Sequence, residues 1–443
     1  MLQSEINKLQ ADYNKYSDDD NKKSEIYRKA DVTITVGSKT YTINEVGIRL
    51  KGNTSLDPFY AENGSLNISH YKLSFDETFD DKTEYGSEAK VWSNENERKL
   101  RKKRTFATLN GLDIKWNRNY DETHIREIYA TKLFEASDVL VQKINLSQLK
   151  FNGNNYGVVN IYEPIDKTFL EKRLPESAIG GDLYKCAWGK IGGRFSGATY
   201  TTSTISSIGE TVNSTGKKYI YSIKTNKSST DHSALKNLIR TINKSNPSKD
   251  SIESVIDINY YARFMAACYF AGDPDDIRNN YNNHYLYFRK DTGKAIFIPY
   301  DNDRTLGVTY GYNPDGKGCS DRNPYSGWAA GADNGQENPL IKLTIIDNNN
   351  STFNYVKDLY TKQLKVLAAS DMMKSDADFN KTYNIAKKNY ESVVTPSVKF
   401  DNVEETFKFS LNGRIDSQKY ATANMSFEMF RSAIMAKYKS KVK

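Results

Sequence analysis

The groups most able to do chemistry are concentrated between Gly272 and Arg304, in GDPDDIRNNYNNHYLYFRKDTGKAIFIPYDNDR. Asp275, Asp276, Asn280, Asn283, Asp301 and Asp303 offer carboxylate and amide oxygens, the hard ligands that magnesium and calcium prefer. A carboxylate beside such ligands can orient or deprotonate a hydroxyl while bound cations neutralise phosphate charge. These residue types suit a magnesium–phosphate site. The plainer readings are turn capping by Asp and Asn, or a structural calcium ion. The elements that carry these residues decide whether they meet.

His284–Lys290 and Lys294–Pro299, rich in Tyr, Phe and Ile, read as two strands joined at Asp291-Thr292-Gly293. A three-residue loop centred on Thr292 sets Asn283 opposite Asp301. Asp303 then lies at the same end, and Asp275, Asp276 and Asn280 lead into it. The apolar helix read in DINYYARFMAACYFAG delivers the chain to that point.

Earlier, DVTITVGSKTYTINEVGIRLKGN alternates with period two around a Gly37-Ser38 turn. Ile48 and Leu50 face a core, with Arg49 and Lys51 on the opposite face. In YKLSF, Lys72 opposes Tyr71, Leu73 and Phe75, so Arg49, Lys51 and Lys72 point to a common cleft or form a solvated edge. Residues 76 to 104 read as a solvated charged face ending in RKLRKKR. Helical spacing begins at Asp121, a plausible N-cap. Glu127 on that helix either pairs with Lys72 or joins an intrahelical charge network. INLSQLKFNGNNYGVVNIY is a hairpin with an Asn-Gly turn. Residues 178 to 232 read as long loops with short strands, a lid or substrate surface. The chain beyond 338 reads as mainly helical.

With 443 residues the chain can bury a large core. It contains no run of eighteen apolar residues, so no transmembrane segment is expected. A formal charge of +8 is mild for this length and is no nucleic-acid footprint. The three cysteines, Cys186, Cys268 and Cys319, have no zinc-type spacing. The N-terminal residues show no apolar signal core.

The order of parts is kinase-like: a β-rich portion with one helix, then a helix-rich portion with metal-type carboxylates flanking a hairpin. GIRLKGNTS, YKLSF, THIREIYATKLFE, YGVVNIYEPIDKTFL, NNHYLYF and FIPYDNDRTLG, in this order, resemble the spore-coat protein H (CotH) kinase family. The resemblance covers roughly residues 45 to 310. It implies an α+β, divergent protein-kinase-like two-lobed fold, with an antiparallel β-rich N-lobe and a mainly helical C-lobe. The expected division is an N-terminal extension over 1–30, an N-lobe over 31–165 and a C-lobe over 166–443.

The resemblance further implies an atypical protein kinase, secreted, at the cell surface or on a spore coat. Such an enzyme uses ATP and Mg2+ or Mn2+ to phosphorylate Ser, and secondarily Thr, on a protein with a Ser-rich segment. Asp301, Asp303 and Asn283 match metal-binding positions, Arg49 and Lys72 match basic positions that could bind phosphates, and Glu127 is a partner for Lys72. The family's usual catalytic position falls on Arg278, which leaves Asp275 or Asp276, with Asp276 preferred. Asp275 and Asn280 keep the five-residue spacing of ordinary kinases, with Asn280 as a further metal ligand. Two other readings are a non-catalytic protein- or glycan-binding scaffold, and a glycoside hydrolase with paired carboxylates. A nucleotide-dependent thermal shift argues against the scaffold, and sugar release without ATP would mark the hydrolase.

Overall fold

The computed structural model describes residues 1–443 except 54, 63, 65–66, 309–316, 327–337, 347–353, 394–397, 401–402, 406–407 and 412–423. The chain is α+β. Its first part builds a six-stranded antiparallel sheet from β1 (Arg28–Val36), β2 (Lys39–Lys51), β3 (His70–Ser74), β4 (Gly111–Trp116), β5 (Ile144–Phe151) and β6 (Asn154–Tyr162), in the order β1-β2-β3-β4-β6-β5. Local chemistry closes its hairpins. Val36 pairs with Lys39 around Gly37 at φ 61°. Phe151 pairs with Asn154 around Asn152 (φ 46°) and Gly153 (φ 84°), the double positive φ of a tight hairpin turn. Ile48 and Leu50 sit in a core with Tyr71, Leu73 and Ile114, as the alternation requires. The other face carries Arg49, Lys72 and Asp113 side by side in register, with Lys51 and Lys115 two residues further along their strands.

Residues 178–232, read as long loops with short strands, do carry short strands, and three of these join the hairpin in one sheet. They contain β7 (Leu183–Cys186), a small hairpin of β8 (Gly189–Ile191) and β9 (Arg194–Ser196), then β10 (Ile208–Gly209) and β11 (Tyr221–Ile223). With β12 (His284–Phe288) and β13 (Ala295–Pro299) these form a second sheet, ordered β10-β11-β7-β12-β13. All its pairs are antiparallel except β10 with β11. The bounds of the strands within 178–232 are hard to read from sequence because each is only two to four residues long, too short for the alternation of Tyr184 and Cys186 with Lys185, or of Tyr221 and Ile223 with Ser222, to stand out.

The β12–β13 hairpin is one residue out of the expected register. His284 pairs with Pro299 and Phe288 with Ala295, so Asn283 lies opposite Tyr300 rather than Asp301. Gly293, at φ 68°, donates to the Arg289 carbonyl at 2.8 Å and closes a loop of four residues instead of three. Asn283 and Asp301 both adopt positive φ where the strands end, at 50° and 58°.

The helix Ile258–Ala271 lies behind this hairpin with nearly all of its side chains buried. Asp257 caps its start by accepting from Tyr260 N at 3.0 Å, and Gly272 ends it at φ 61°, where a Cβ would stand 2.5 Å from the Phe430 ring. Phe264 stacks on Phe297 of β13, with centroids 5.6 Å apart, and reaches Phe134 of the helix Arg126–Ala136 at 6.3 Å. Phe264→Ala is therefore expected to destabilise the protein by about 3–5 kcal/mol, read from the urea midpoint.

The Arg126–Ala136 helix starts later than its Asp121 signal. Asp121 nonetheless accepts from Arg126 N at 3.0 Å and so satisfies a backbone donor of the first turn. The basic run at 98–104 is not simply a solvated face: Arg98 pairs with Asp80, Arg101 with Glu45 at 2.7 Å, and Arg104 donates to the Asn44 and Glu45 carbonyls.

The N-terminal residues span both sheets. The helix Gln3–Asn14 buries Ile6 and Leu9 against the first sheet's core. Lys23 N then donates to the Gly216 carbonyl at 2.9 Å, Lys218 N to the Asn21 carbonyl at 2.8 Å, and Lys190 N to Asn21 Oδ1 at 3.0 Å. Lys218 Nζ ties Asp20 to Asn53 of the loop after β2, at 2.7 and 2.9 Å. All three cysteines are buried free thiols. Among the described residues no helix is long and apolar enough to cross a membrane.

Candidate active site

The polar face of the first sheet and the cleft end of the second enclose a space of about 820 Å³. Arg49, Lys51, Lys72, Asp113 and Lys115 line it from the first sheet. Lys185, Tyr285, Tyr300, Asp301, Asn283, Asn280 and Asp275 line it from the other side.

Lys115 on β4 is the central charge. Its Nζ contacts Asp301, stands 3.6 Å from Glu127 Oε1, and lies 3.5 Å from Asp303 Oδ2. Burial disfavours the ammonium, but Asp301 and Glu127 hold Lys115 charged well above the ordinary lysine range. Burial likewise opposes the Asp301 carboxylate, and Lys115 with Lys51 overcomes it, keeping Asp301 well below the usual carboxylate range. Burial, joined by Asp303 and Asp301, pushes Glu127 up to about 7 against the pull of Lys115. Tyr162 holds Glu127 from β6 through a 2.5 Å hydrogen bond. Glu127 and Asp303 face a small hollow on the far side of Lys115, so this lysine divides the hollow from the main cleft.

Glu127 therefore meets Lys115, not the Lys72 considered from sequence. Lys72 stands 3.7 Å from Asp113, which Lys51 also approaches at 3.2 Å. Against the cost of burial, Lys51 and Lys72 hold Asp113 well below the usual range. Arg49 lies 3.6 Å from Glu25 and over the Tyr27 ring. Neither Asp113 nor Lys115 was singled out in the sequence. The available signal was the alternation of GLDIKW, with Asp113 and Lys115 opposite Leu112, Ile114 and Trp116, just before the helix that carries Glu127.

The acidic loop divides its two candidates. Asp275 Oδ1 accepts from Asn280 Nδ2 at 2.5 Å and Asp275 Oδ2 from Asn283 Nδ2 at 2.9 Å, and the carboxylate lines the cleft. Burial pushes it up to about 6 against the Asn280 hydrogen bond. Asp276, the residue preferred from sequence, turns away. Its Oδ1 accepts from the backbone of Arg278 at 2.7 Å and Asn279 at 3.0 Å, and it does not line the cleft. Burial pushes it up to about 7 despite Arg278. Arg278 itself is a buried pin that donates to Tyr360 Oη at 2.7 Å and the Pro324 carbonyl at 3.0 Å.

For a divalent cation the donors are carboxylate and amide oxygens. Asn280 Oδ1 is buried at the cleft without a hydrogen-bond partner, as a ligand oxygen would be. Among the described residues no group of three or more His, Cys, Asp or Glu has the geometry of a metal centre, so any such site is of mixed carboxylate–amide type. That donor set fits magnesium or manganese and not zinc.

Fold and cleft together define an α+β protein with an oxygen-lined, lysine-flanked cleft between two sheets. The chain belongs to the CotH kinase family: the family model, described as CotH kinase protein, matches residues 48–391, which include the end of β2, strands β3 to β6 of the first sheet, all of the second and the acidic loop. Comparison with curated proteins finds no match.

Proposed function

We propose that this protein transfers the γ-phosphate of ATP to Ser, and secondarily Thr, hydroxyls of surface or extracellular proteins. One observation supports this above the others: Lys115, on a strand that leads into the Arg126–Ala136 helix, lies between Glu127 of that helix and Asp301 after the hairpin. In protein kinases a strand lysine paired with a helix glutamate, near a metal-binding Asp, is required for transfer. Residues 31–165 then act as a nucleotide lobe, 166–443 as the lobe bearing the acidic loop, and 1–30 as an extension that joins them.

In this reading Lys115 binds nucleotide phosphate, and Glu127 fixes its position. Asp301 would hold the divalent cation, with Asn283, Asn280 and Asp303 as further oxygen donors. That cation, when bound, offsets charge on the phosphates. Arg49 and Lys72 neutralise the phosphates from the first sheet. Asp275, held by Asn280 and Asn283, accepts the hydroxyl proton as the acceptor oxygen bonds to the γ-phosphorus. The bond from that phosphorus to the β–γ bridging oxygen breaks and ADP leaves. The acceptor is a Ser-rich protein segment at a cell surface or spore coat.

The test is incubation with γ-labelled ATP, a Ser-rich acceptor, and Mg2+ or Mn2+. Label is expected on Ser of the acceptor or of the protein itself, lost with a chelator and restored by either metal. Asp301→Asn should raise the metal concentration for half-maximal transfer by about tenfold or more. Bound Mg·ATP without transfer to any acceptor would leave a non-catalytic binding module.

A further inference from the structure

The cleft cations differ in how they are neutralised. On the first sheet Lys51 and Lys72 share Asp113, Arg49 has Glu25, and Lys115 has Asp301. Two lysines of the second sheet lack a carboxylate within salt-bridge distance among the described residues. Among the described residues, Lys185 Nζ, on β7, has Tyr300 as its polar partner, 3.4 Å from its hydroxyl and 4.4 Å from its ring centroid. Lys224, immediately after β11, makes no ion pair, and its side chain donates no hydrogen bond within the described residues. Both line the cleft opposite Arg49 and Lys72.

We infer that Lys185 and Lys224 form an anion-binding wall that grips the polyphosphate of the nucleotide from the side opposite Arg49 and Lys72. The inference rests on the kinase reading and adds to it the residues of the second sheet that hold the substrate. Register supports it: Lys185 pairs with Ser222, and Lys224 lies two residues beyond Ser222, a diagonal neighbour about 7–8 Å away. Both side chains therefore leave the same face of the sheet, toward the cleft, where they can bear on one extended anion.

Electrostatics agree with the geometry. Burial and the charges of Lys23 and Lys51 push Lys185 well below the ordinary lysine range. Burial pushes Lys224 down to about 8 against Glu25, with Lys23, Lys72 and Arg49 adding to the shift. An ammonium in this position costs stability when the cleft is empty, and an apolar side chain of similar length would be better tolerated. A polyanion reverses that balance.

The test is calorimetry of Mg·ATP, Mg·ADP and magnesium tripolyphosphate with wild type, Lys185→Met and Lys224→Met, alongside melting of each free protein. Each variant is expected to melt above wild type and to bind Mg·ATP and tripolyphosphate roughly ten- to a hundredfold more weakly. Undiminished binding of both ligands by the variants overturns the wall while leaving the kinase reading intact. Wild-type binding of tripolyphosphate but not Mg·ATP, lost in both variants, supports the wall and overturns the nucleotide. Weakened binding of an acidic Ser peptide with unchanged Mg·ATP affinity assigns these lysines to the acceptor and overturns the inference.

Discussion

Asp275→Asn is expected to slow phosphate transfer by about a hundred- to ten-thousandfold while leaving Mg·ATP affinity close to wild type. The amide keeps an oxygen for Asn280 or Asn283, so the loop retains its shape, but it cannot take the hydroxyl proton. Asp276→Asn provides the contrast. Its amide oxygen can still accept from Arg278 N and Asn279 N, and the carboxyl it replaces is already pushed up to about 7 by burial, so transfer should stay near the wild-type rate. The pH profile follows from the sign of the Asp275 shift. A base acts only when ionised, and burial raises this carboxyl to about 6, so transfer should fall as pH drops through about 6 and level off above it. Loss of transfer in Asp276→Asn alone would move the base to that residue.

Lys115→Met is expected to abolish measurable transfer and to destabilise the metal-free protein by about 3–5 kcal/mol, the usual cost of leaving a buried charge without its partner. Asp301, Asp303 and Glu127 all face Lys115 and lose their common counter-charge together. Proton uptake by Glu127, already raised to about 7, limits the damage, so the loss should be smaller at mildly acid pH than at pH 8. Magnesium should then stabilise the variant more than the wild type, because a cation at Asp301 replaces the missing ammonium. Urea unfolding with and without Mg2+ at the two pH values measures all of this. A variant as stable as wild type that transfers phosphate normally would remove Lys115 from both roles.

Features set by a few neighbouring residues were legible in the sequence. The Asn152-Gly153 turn, the Gly37-Ser38 turn and the alternation that separates Ile48 and Leu50 from Arg49 and Lys51 all depend on local backbone preference and period two. Asn283 and Asp301 were also brought to one cleft, although the hairpin register slipped by a residue when Gly293 closed a longer loop. Pairings across strands were not legible. Lys115 gains its meaning from Glu127, Asp301 and Asp303, and no local pattern marks that meeting. Asp275 and Asp276 are chemically identical neighbours, separated only when the backbone of Arg278 and Asn279 captures one carboxylate. β7 and β11 alternate apolar with polar residues, but over only four and three positions, too few for a period to stand out.

The N-terminal strap has a mechanical consequence. One stretch of chain is packed on the first sheet through Ile6 and Leu9 and hydrogen-bonded to residues 190, 216 and 218 near the second. Separating the sheets therefore means peeling that stretch from one of them. Any parting of the sheets would carry the free energy of locally unfolding that stretch, a cost set by two buried side chains and a few hydrogen bonds.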